Sequence, residues 1–187
     1  MAARRATWHK QLAAEPVTAL VFVDESGANT KMTRLRGRAL GGQRLLAHVP
    51  HGHYQTNTLI SGIRLGGPCA PWLFGGAMNG EMFLAWVRQG LAPTLRPGDV
   101  VILDNLATHK IQGVRDALEA VGARLLYLPP YSPDFNPIEN LWSKIKQSLR
   151  SHAPRTEEEL LRAANSAFNS ISSADCKGFF FSAQHAT

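Results

Sequence analysis

The chain has 187 residues, of which 44% are hydrophobic and 18% charged; this fits one folded α/β domain and excludes a disordered tail. Its longest apolar runs have strand length, well short of the roughly 20 residues of a membrane span, and no signal-peptide core follows Arg4 and Arg5, so we expect a cytoplasmic protein without a membrane partner. The formal net charge of +6 favours a polyanionic partner such as a nucleic acid.

The N-terminal half of the chain predicts a group of antiparallel strands. Residues 4–14 are polar and basic, which is typical of a helix end or a linker. The run TALVFVD is apolar and β-branched and indicates a buried strand, and the polar, basic stretch Glu25–Gly42 follows it. Strands are predicted at Thr18–Asp24, Gln43–Val49 and Gln55–Leu65, with a further short one at Pro71–Phe74.

The C-terminal half alternates helices and strands. The run DVVILD is the strongest strand signal, because it is apolar between its two aspartates. Gly122 closes one amphipathic helix, and Thr156 with Glu159 forms a capping box that begins another. Helices are predicted at Gly80–Leu95, Ile111–Val121, Pro137–Arg150 and Thr156–Ser170, strands at Asp99–Asp104 and Ala123–Leu128, a rigid loop at Pro129–Pro137, and a packed tail at Phe179–Phe181.

This order of elements predicts the fold class. An antiparallel strand group followed by βαβ units gives an α/β protein with a mixed five-stranded sheet flanked by helices, the ribonuclease H-like arrangement. In the parallel part of such a sheet, functional sites form at the carboxyl ends of the strands.

Two aspartates stand at predicted strand ends, Asp24 after the first strand and Asp104 after the fourth. If these strands are parallel neighbours, both carboxylates emerge at one edge of the sheet, where their repulsion favours binding of a divalent cation. An aspartate at a strand end also commonly begins a turn, so the pair by itself leaves a structural role open.

Glu139 is the candidate for a third carboxylate. Asn136 is a natural N-cap and Pro137 suits the first helical position, so Glu139 takes the third, where it could instead close a capping box with Asn136. At about 100° per residue, Glu139 lies on the flank of the apolar helix face and can point toward the strand-end aspartates. The same flank carries Lys146 and Arg150, which we predict to contact a phosphate backbone.

Three converging carboxylates are hard oxygen ligands, which suit Mg²⁺ or Mn²⁺ better than zinc. Two such ions, roughly 4 Å apart, can activate the attacking oxygen and stabilise the leaving oxygen of an in-line phosphoryl displacement. The sequence has no glycine-rich nucleotide loop, so a nucleic-acid backbone is the expected source of the phosphate.

Three segments resemble the DDE transposases of the Tc/mariner superfamily, and more closely their bacterial insertion-sequence branch. They are VFVDES from Val21, ILDNLATHK from Ile102 and LPPYSPDFNPIENLWSKIK from Leu128. The 34 residues between Asp104 and Glu139 match the characteristic gap of that branch. The resemblance covers about residues 17–185.

The resemblance implies that Asp24, Asp104 and Glu139 are the catalytic residues and hold two divalent cations, Mg²⁺ or Mn²⁺. Asn105 and His109 match the motif after the second aspartate, and we expect these two residues to orient the site or touch substrate, with Asn136 as a further supporting residue. Asp134 is an alternative candidate for the third carboxylate, but its distance from Asp104 in the sequence does not match the spacing of that branch. DNA contacts are expected from Lys146, Arg150, Arg34, Arg36 and Lys110, and the stretch Lys31–Arg44 is placed where relatives make DNA or interprotomer contacts.

The implied activity is DNA strand cleavage followed by attack of the freed 3′-hydroxyl on target DNA during transposition of an insertion sequence. The implied partners are transposon-end and target DNA, a second copy of the chain, and a partner that carries the helix-turn-helix half of the transposase. On this interpretation residues 1–16 are the end of a linker from that half, residues 17–187 are the catalytic domain, and the protein is associated with the bacterial nucleoid.

Two other functions stay open at this point. The chain could be a non-enzymatic DNA-binding or dimerising module, which predicts salt-sensitive DNA binding without cleavage under any metal. It could also be a ribonuclease H-like nuclease that acts on RNA–DNA hybrids or junctions.

Overall fold

A mixed five-stranded sheet forms the centre of the computed structural model, which describes residues 2–46, 48–51 and 54–185. The spatial order of the strands is β3-β2-β1-β4-β5, antiparallel for β1 with β2 and β2 with β3, and parallel for β1 with β4 and β4 with β5. The predicted mixed sheet is confirmed. The strands are β1 (Leu20–Asn29), β2 (Thr56–Arg64), β3 (Gly67–Gly75), β4 (Val100–Leu103) and β5 (Arg124–Tyr127).

Helices cover both faces of this sheet. One face packs against the helices α1, α4, α5 and α6, and the other face packs against α2 and α3. No helix of the described segments combines the length and the apolarity needed to cross a bilayer. The helices are α1 (Ala2–Ala13), α2 (Gly80–Trp86), α3 (Val114–Glu119), α4 (Ile138–His152), α5 (Glu157–Asn169) and α6 (Ser173–Ser182).

Alternation along the central strands separates two apolar cores. In β1, Leu20 and Phe22 face the α4 side, while Val21 and Val23 face the α2 side, and all four are buried. Strand β4 alternates in the same way, and Phe22 is paired in register with Ile102. In β1, a side chain two residues beyond Phe22 therefore lies on the α4 side, whereas β4 ends one residue after Ile102.

One predicted strand is wrong. Residues 43–46, 48 and 49 form no strand, and Ala47 lies outside the described residues. Their apolar side chains Leu45, Leu46 and Val49 are exposed. The sequence suggested a strand because it is apolar, but no neighbouring strand pairs with it, and the third strand of the antiparallel group is β3 instead.

Two elements are longer or more regular than predicted. Strand β1 continues past Asp24 to Asn29, because this polar segment pairs with β2 from Asp24 opposite Ser61 to Asn29 opposite Thr56. Helix α1 forms in the polar N-terminal segment and buries Trp8 and Leu12, which are four residues apart and so lie on one face.

Several local predictions are confirmed. The capping box of Thr156 and Glu159 begins α5, and Gly122 adopts a left-handed conformation (φ +76°) after α3. The apolar tail forms α6, which begins with a second capping box at Ser172 and buries Phe180 while leaving Phe181 exposed.

Candidate functional site

Asp24 and Asp104 lie at one edge of the sheet, on neighbouring parallel strands. Asp24 is two residues beyond Phe22 and Asp104 two residues beyond Ile102, and Phe22 and Ile102 are register partners. Both carboxylates line a cleft of about 470 Å³, just beyond the point where the parallel pairing of β1 and β4 ends. The two aspartates thus lie close together, as predicted. They do so because the apolar runs before them, residues 20–23 and 100–103, have equal length and pair in register.

Asp24 is the more enclosed of the two aspartates. Its Oδ2 accepts a hydrogen bond of 3.2 Å from Trp142 Nε1, on the buried face of α4. Burial raises the pKa of the Asp24 carboxyl to about 7, and the negative charges of Glu139, Glu25 and Asp104 raise it further against the lowering effect of a backbone hydrogen bond. The carboxylate form of Asp24 therefore needs a compensating positive charge.

Glu139 lies on the first turn of α4 and lines the same cleft. Asn136 accepts a hydrogen bond from the Ile138 amide (3.4 Å) through its side chain and lines the cleft as well. The helix begins one residue later than predicted, with Pro137 at the N-cap and no side-chain cap hydrogen bond there. Glu139 does not close a capping box with Asn136, so its carboxylate is available to the cleft.

His109 connects Asp104 to a carboxylate that the sequence did not single out, Glu25. His109 Nε2 lies 2.8 Å from Glu25 Oε1, and Nδ1 lies 2.6 Å from Asp104 Oδ1. The ring N–H at Nδ1 is not directed at the Asp104 oxygen, so this second contact is an ion pair without hydrogen-bond geometry. The ring of the buried His109 also packs on Phe83, 4.3 Å between ring centroids.

These contacts change the pKa values of both His109 and Asp104. Burial alone lowers the pKa of His109, but its contacts with Asp104 and Glu25 outweigh burial and raise this pKa to about 9. Burial likewise raises the pKa of Asp104, but His109 and the Leu106 amide outweigh it and lower this pKa. His109 is therefore a buried imidazolium that keeps Asp104 ionised and in place.

Asn105 has a structural task next to Asp104. Its side-chain amide donates a hydrogen bond to the Leu128 carbonyl, at the end of β5. This contact fixes the start of the proline-rich loop 129–137, which carries much of the cleft lining. Asp134, the rival third carboxylate, points elsewhere: it pairs with Arg5 at 2.5 Å and does not line the cleft.

The donor set fits a hard divalent cation. Asp24, Asp104 and Glu139 offer carboxylate oxygens at one cleft, and a cation among them would relieve the repulsion that raises the Asp24 pKa. In the described part of the chain, no three His, Cys, Asp or Glu side chains are close enough to enclose an ion as they stand. Glu139 is exposed, so its side chain can turn toward the aspartates without disturbing the core.

None of the predicted DNA-contacting residues belongs to the cleft lining. Lys146 and Arg150 are partly exposed along α4, whereas Lys110 is exposed and stands 5.4 Å from the centre of the Tyr127 ring. Arg34 and Arg36 are exposed in the segment between β1 and β2. Their contact with DNA stays a prediction.

Sequence reasoning missed Glu25 and Trp142 as parts of the site. Trp142 lies on the apolar, buried face of α4, where a tryptophan is expected to pack only in the core, yet its indole N–H reaches Asp24. Glu25 and His109 are 84 residues apart and meet only through the tertiary fold, so no local pattern signals their contact. The one available signal was the adjacency of Glu25 to Asp24 in a strand, which places it on the opposite face of the sheet.

Solved structures with a similar fold include three of Mos1 transposase. The chain is similar in structure to the Mos1 mariner paired end complex with Mn (TM-score 0.75, 17% identity, 97% of this chain and 57% of that chain). It is also similar to a pre-cleavage Mos1 transpososome (TM-score 0.71, 16% identity, 90% of this chain and 52% of that chain). A third similar structure is the catalytic domain of Mos1 mariner transposase (TM-score 0.65, 16% identity, 97% of this chain and 85% of that chain). The chain thus spans little more than half of the first two transposase chains.

At these identities the likeness establishes the fold, and the predicted ribonuclease H-like arrangement is confirmed. Comparison with curated protein sequences gives no match. A family model described as DDE superfamily endonuclease matches residues 19–161, about three quarters of the chain and all three candidate carboxylates. The chain belongs to the DDE superfamily endonucleases.

Proposed function

We propose that this chain is the catalytic domain of a Tc/mariner-type DDE transposase, which cuts DNA at a transposon end and joins the freed 3′-hydroxyl to target DNA. The observation that carries the proposal is the shared cleft of Asp24, Asp104 and Glu139, where the parallel pairing of β1 and β4 ends and α4 begins. Family membership and the likeness to Mos1 transposase structures support it.

In this proposal Asp24, Asp104 and Glu139 hold two Mg²⁺ or Mn²⁺ ions, which would activate the attacking oxygen and stabilise the leaving one. Solved Mos1 complexes with Mn and with Mg support this choice of metals. Trp142 and His109 keep the two aspartates in position through their contacts from opposite faces of the sheet. Asn105 and Asn136 keep the cleft walls in place.

The reaction takes place at one phosphodiester of the DNA backbone. In the first step a water oxygen attacks phosphorus, the bond from phosphorus to the 3′-oxygen breaks, and a 3′-hydroxyl and a 5′-phosphate result. In the second step that 3′-hydroxyl attacks a target phosphodiester and displaces its 3′-oxygen. Neither step needs a covalent link between protein and DNA. Lys146, Arg150 and Lys110 would hold flanking phosphates by charge.

The proposed partners are DNA, a second copy of the chain and a helix-turn-helix half that recognises transposon ends. Exposed leucines in the basic segment between β1 and β2, with Arg34 and Arg36 beside them, support a contact surface there. The limited share of the Mos1 chains that is covered supports a separate DNA-reading part. We place this reaction on cytoplasmic, nucleoid-associated DNA.

The direct test is nicking of a supercoiled plasmid, which requires no knowledge of the transposon end. The wild-type chain is expected to produce open circles with Mn²⁺ or Mg²⁺ and none with EDTA. An RNA–DNA hybrid and a four-way junction are tested beside the plasmid. Faster cutting of either would favour a different nuclease activity, and salt-sensitive DNA binding without cutting under any metal would leave only a binding module.

A further inference from the structure

Tyr131 projects from the loop 129–137 into solvent at the catalytic cleft. Its side chain is 85% exposed, yet Tyr131 belongs to the lining of the cleft that contains Asp24, Asp104 and Glu139. Its backbone is left-handed (φ +55°), a conformation that a bulky residue rarely adopts. An exposed aromatic ring and a strained backbone both cost stability, so their presence at the same residue points to a ligand that the ring binds.

The other two tyrosines of the chain have partners for their rings or hydroxyls. Tyr54 packs under Lys31 at 4.7 Å, and Tyr127 donates a hydrogen bond to the His109 carbonyl. For Tyr131, the described residues provide no hydrogen bond and no ring contact. Both faces of its ring are therefore available to a ligand in the cleft.

The loop holds the backbone of Tyr131 in place. Prolines at 129, 130 and 133 restrict its backbone, and the buried Ser132 hydroxyl accepts a hydrogen bond of 2.9 Å from Arg5. Arg5 also stands 4.0 Å from the centre of the Phe135 ring, and Trp8 stacks on the same ring at 5.3 Å. Helix α1 thus fixes the loop after Tyr131, and the hydrogen bond from Asn105 to the Leu128 carbonyl fixes it before Tyr131, so the backbone loses little freedom when a ligand stacks on the ring.

We propose that Tyr131 is a stacking platform for one unpaired base of the DNA strand beside the phosphate being cut. This rests on the proposed function, since it presumes a nucleic-acid strand in the cleft. Every base has a flat π-face, so an aromatic ring binds it without reading its sequence. The cleft wall beside the ring is apolar, formed by Leu106, Leu128 and prolines, and this suits a base better than a phosphate.

Stacking on Tyr131 would also help a phosphate of a DNA duplex to reach the carboxylates. A phosphate next to a base that has left its pair lies on a more flexible strand, and the ring would stabilise this state after the pair opens. Tyr131 acts by binding the base and takes no part in proton or metal chemistry.

The test compares two labelled DNA duplexes that differ at one base. One is fully paired, and the other has an abasic site opposite that base, which leaves the base unpaired. Binding is measured by fluorescence anisotropy in Ca²⁺, and the affinity ratio of the unpaired to the paired duplex is the readout. The wild-type ratio is expected to be about 10, and Tyr131→Ala should reduce it to near 1 by removing the stacking contact.

Tyr131→Phe keeps the ring and should keep the ratio, and Phe181→Ala, which removes a 75% exposed aromatic ring that does not line the cleft, should also keep it. A ratio that survives in Tyr131→Ala, or that is lost in Tyr131→Phe, overturns the stacking role. Nicking of both duplexes in Mn²⁺ separates the two proposals. If the wild type nicks DNA but its affinity ratio equals that of Tyr131→Ala, only the stacking role of Tyr131 is disproved. If the wild type neither binds nor nicks DNA, the stacking role and the proposed transposase function are both disproved.

Discussion

Asp104→Ala is expected to lower metal-dependent plasmid nicking by about 1,000-fold or more. Loss of one ligand removes several kcal/mol of charge stabilisation from the transition state, and each 1.4 kcal/mol corresponds to about tenfold in rate. The fold should persist, because β4 ends before Asp104 and His109 keeps its contact with Glu25. Circular dichroism and gel quantification of open circles check both expectations.

The matched control for this variant is Asp116→Ala, which removes an exposed aspartate from α3. It should nick at the wild-type rate. Equal nicking by Asp104→Ala and the wild type, in preparations free of contaminating nuclease, would show that Asp104 has no catalytic role.

Asp24→Asn is expected to make the metal-free protein more stable, by on the order of 2 kcal/mol at pH 8. Asp24 is held among negative charges in a partly buried place, whereas asparagine has the same shape and still accepts the Trp142 hydrogen bond. The variant should thus gain stability while it loses the metal site, as expected where function keeps like charges together.

The pH dependence of this gain follows from the sign of the pKa shift. The folded-state pKa of Asp24 is raised to about 7, so below neutral pH the folded state holds a proton that the unfolded state has lost. The wild type is penalised fully above pH 7, and the penalty shrinks as the pH falls toward the unfolded-state pKa. Urea unfolding of the wild type and Asp24→Asn in EDTA at several pH values measures this difference in the free energy of unfolding. A gain of equal size at pH 4 and pH 8, or no gain at pH 8, contradicts the assignment.

Much of the site could be predicted because its signals are local. Two apolar runs, each ending in an aspartate, form parallel strands of matched register, and this alone brings Asp24 and Asp104 together. The segment before α4 fixes Glu139 near the first helical turn, and the capping-box alternative was excluded only by the observed backbone at Pro137.

What could not be predicted depends on tertiary pairing. Strand β1 extends through polar residues because β2 lies beside it, and Leu45 and Leu46 form no strand because none of the described strands pairs with them. The contact of Glu25 with His109 joins distant parts of the chain. Helix α1 could have been found, since Trp8 and Leu12 repeat at helical spacing, but its contacts with the loop around Phe135 required the fold.

The most direct test of the central claim, that Asp24, Asp104 and Glu139 form one metal site, is calorimetric titration with Mn²⁺ in the absence of DNA. The comparison is between the wild type, Glu139→Gln and the control Glu157→Gln, which changes an exposed glutamate at the start of α5. We expect Mn²⁺ binding by the wild type and the control and a loss of about tenfold or more in affinity for Glu139→Gln, since one charged ligand is removed. Equal Mn²⁺ binding by all three proteins, or none by the wild type, would contradict the claim.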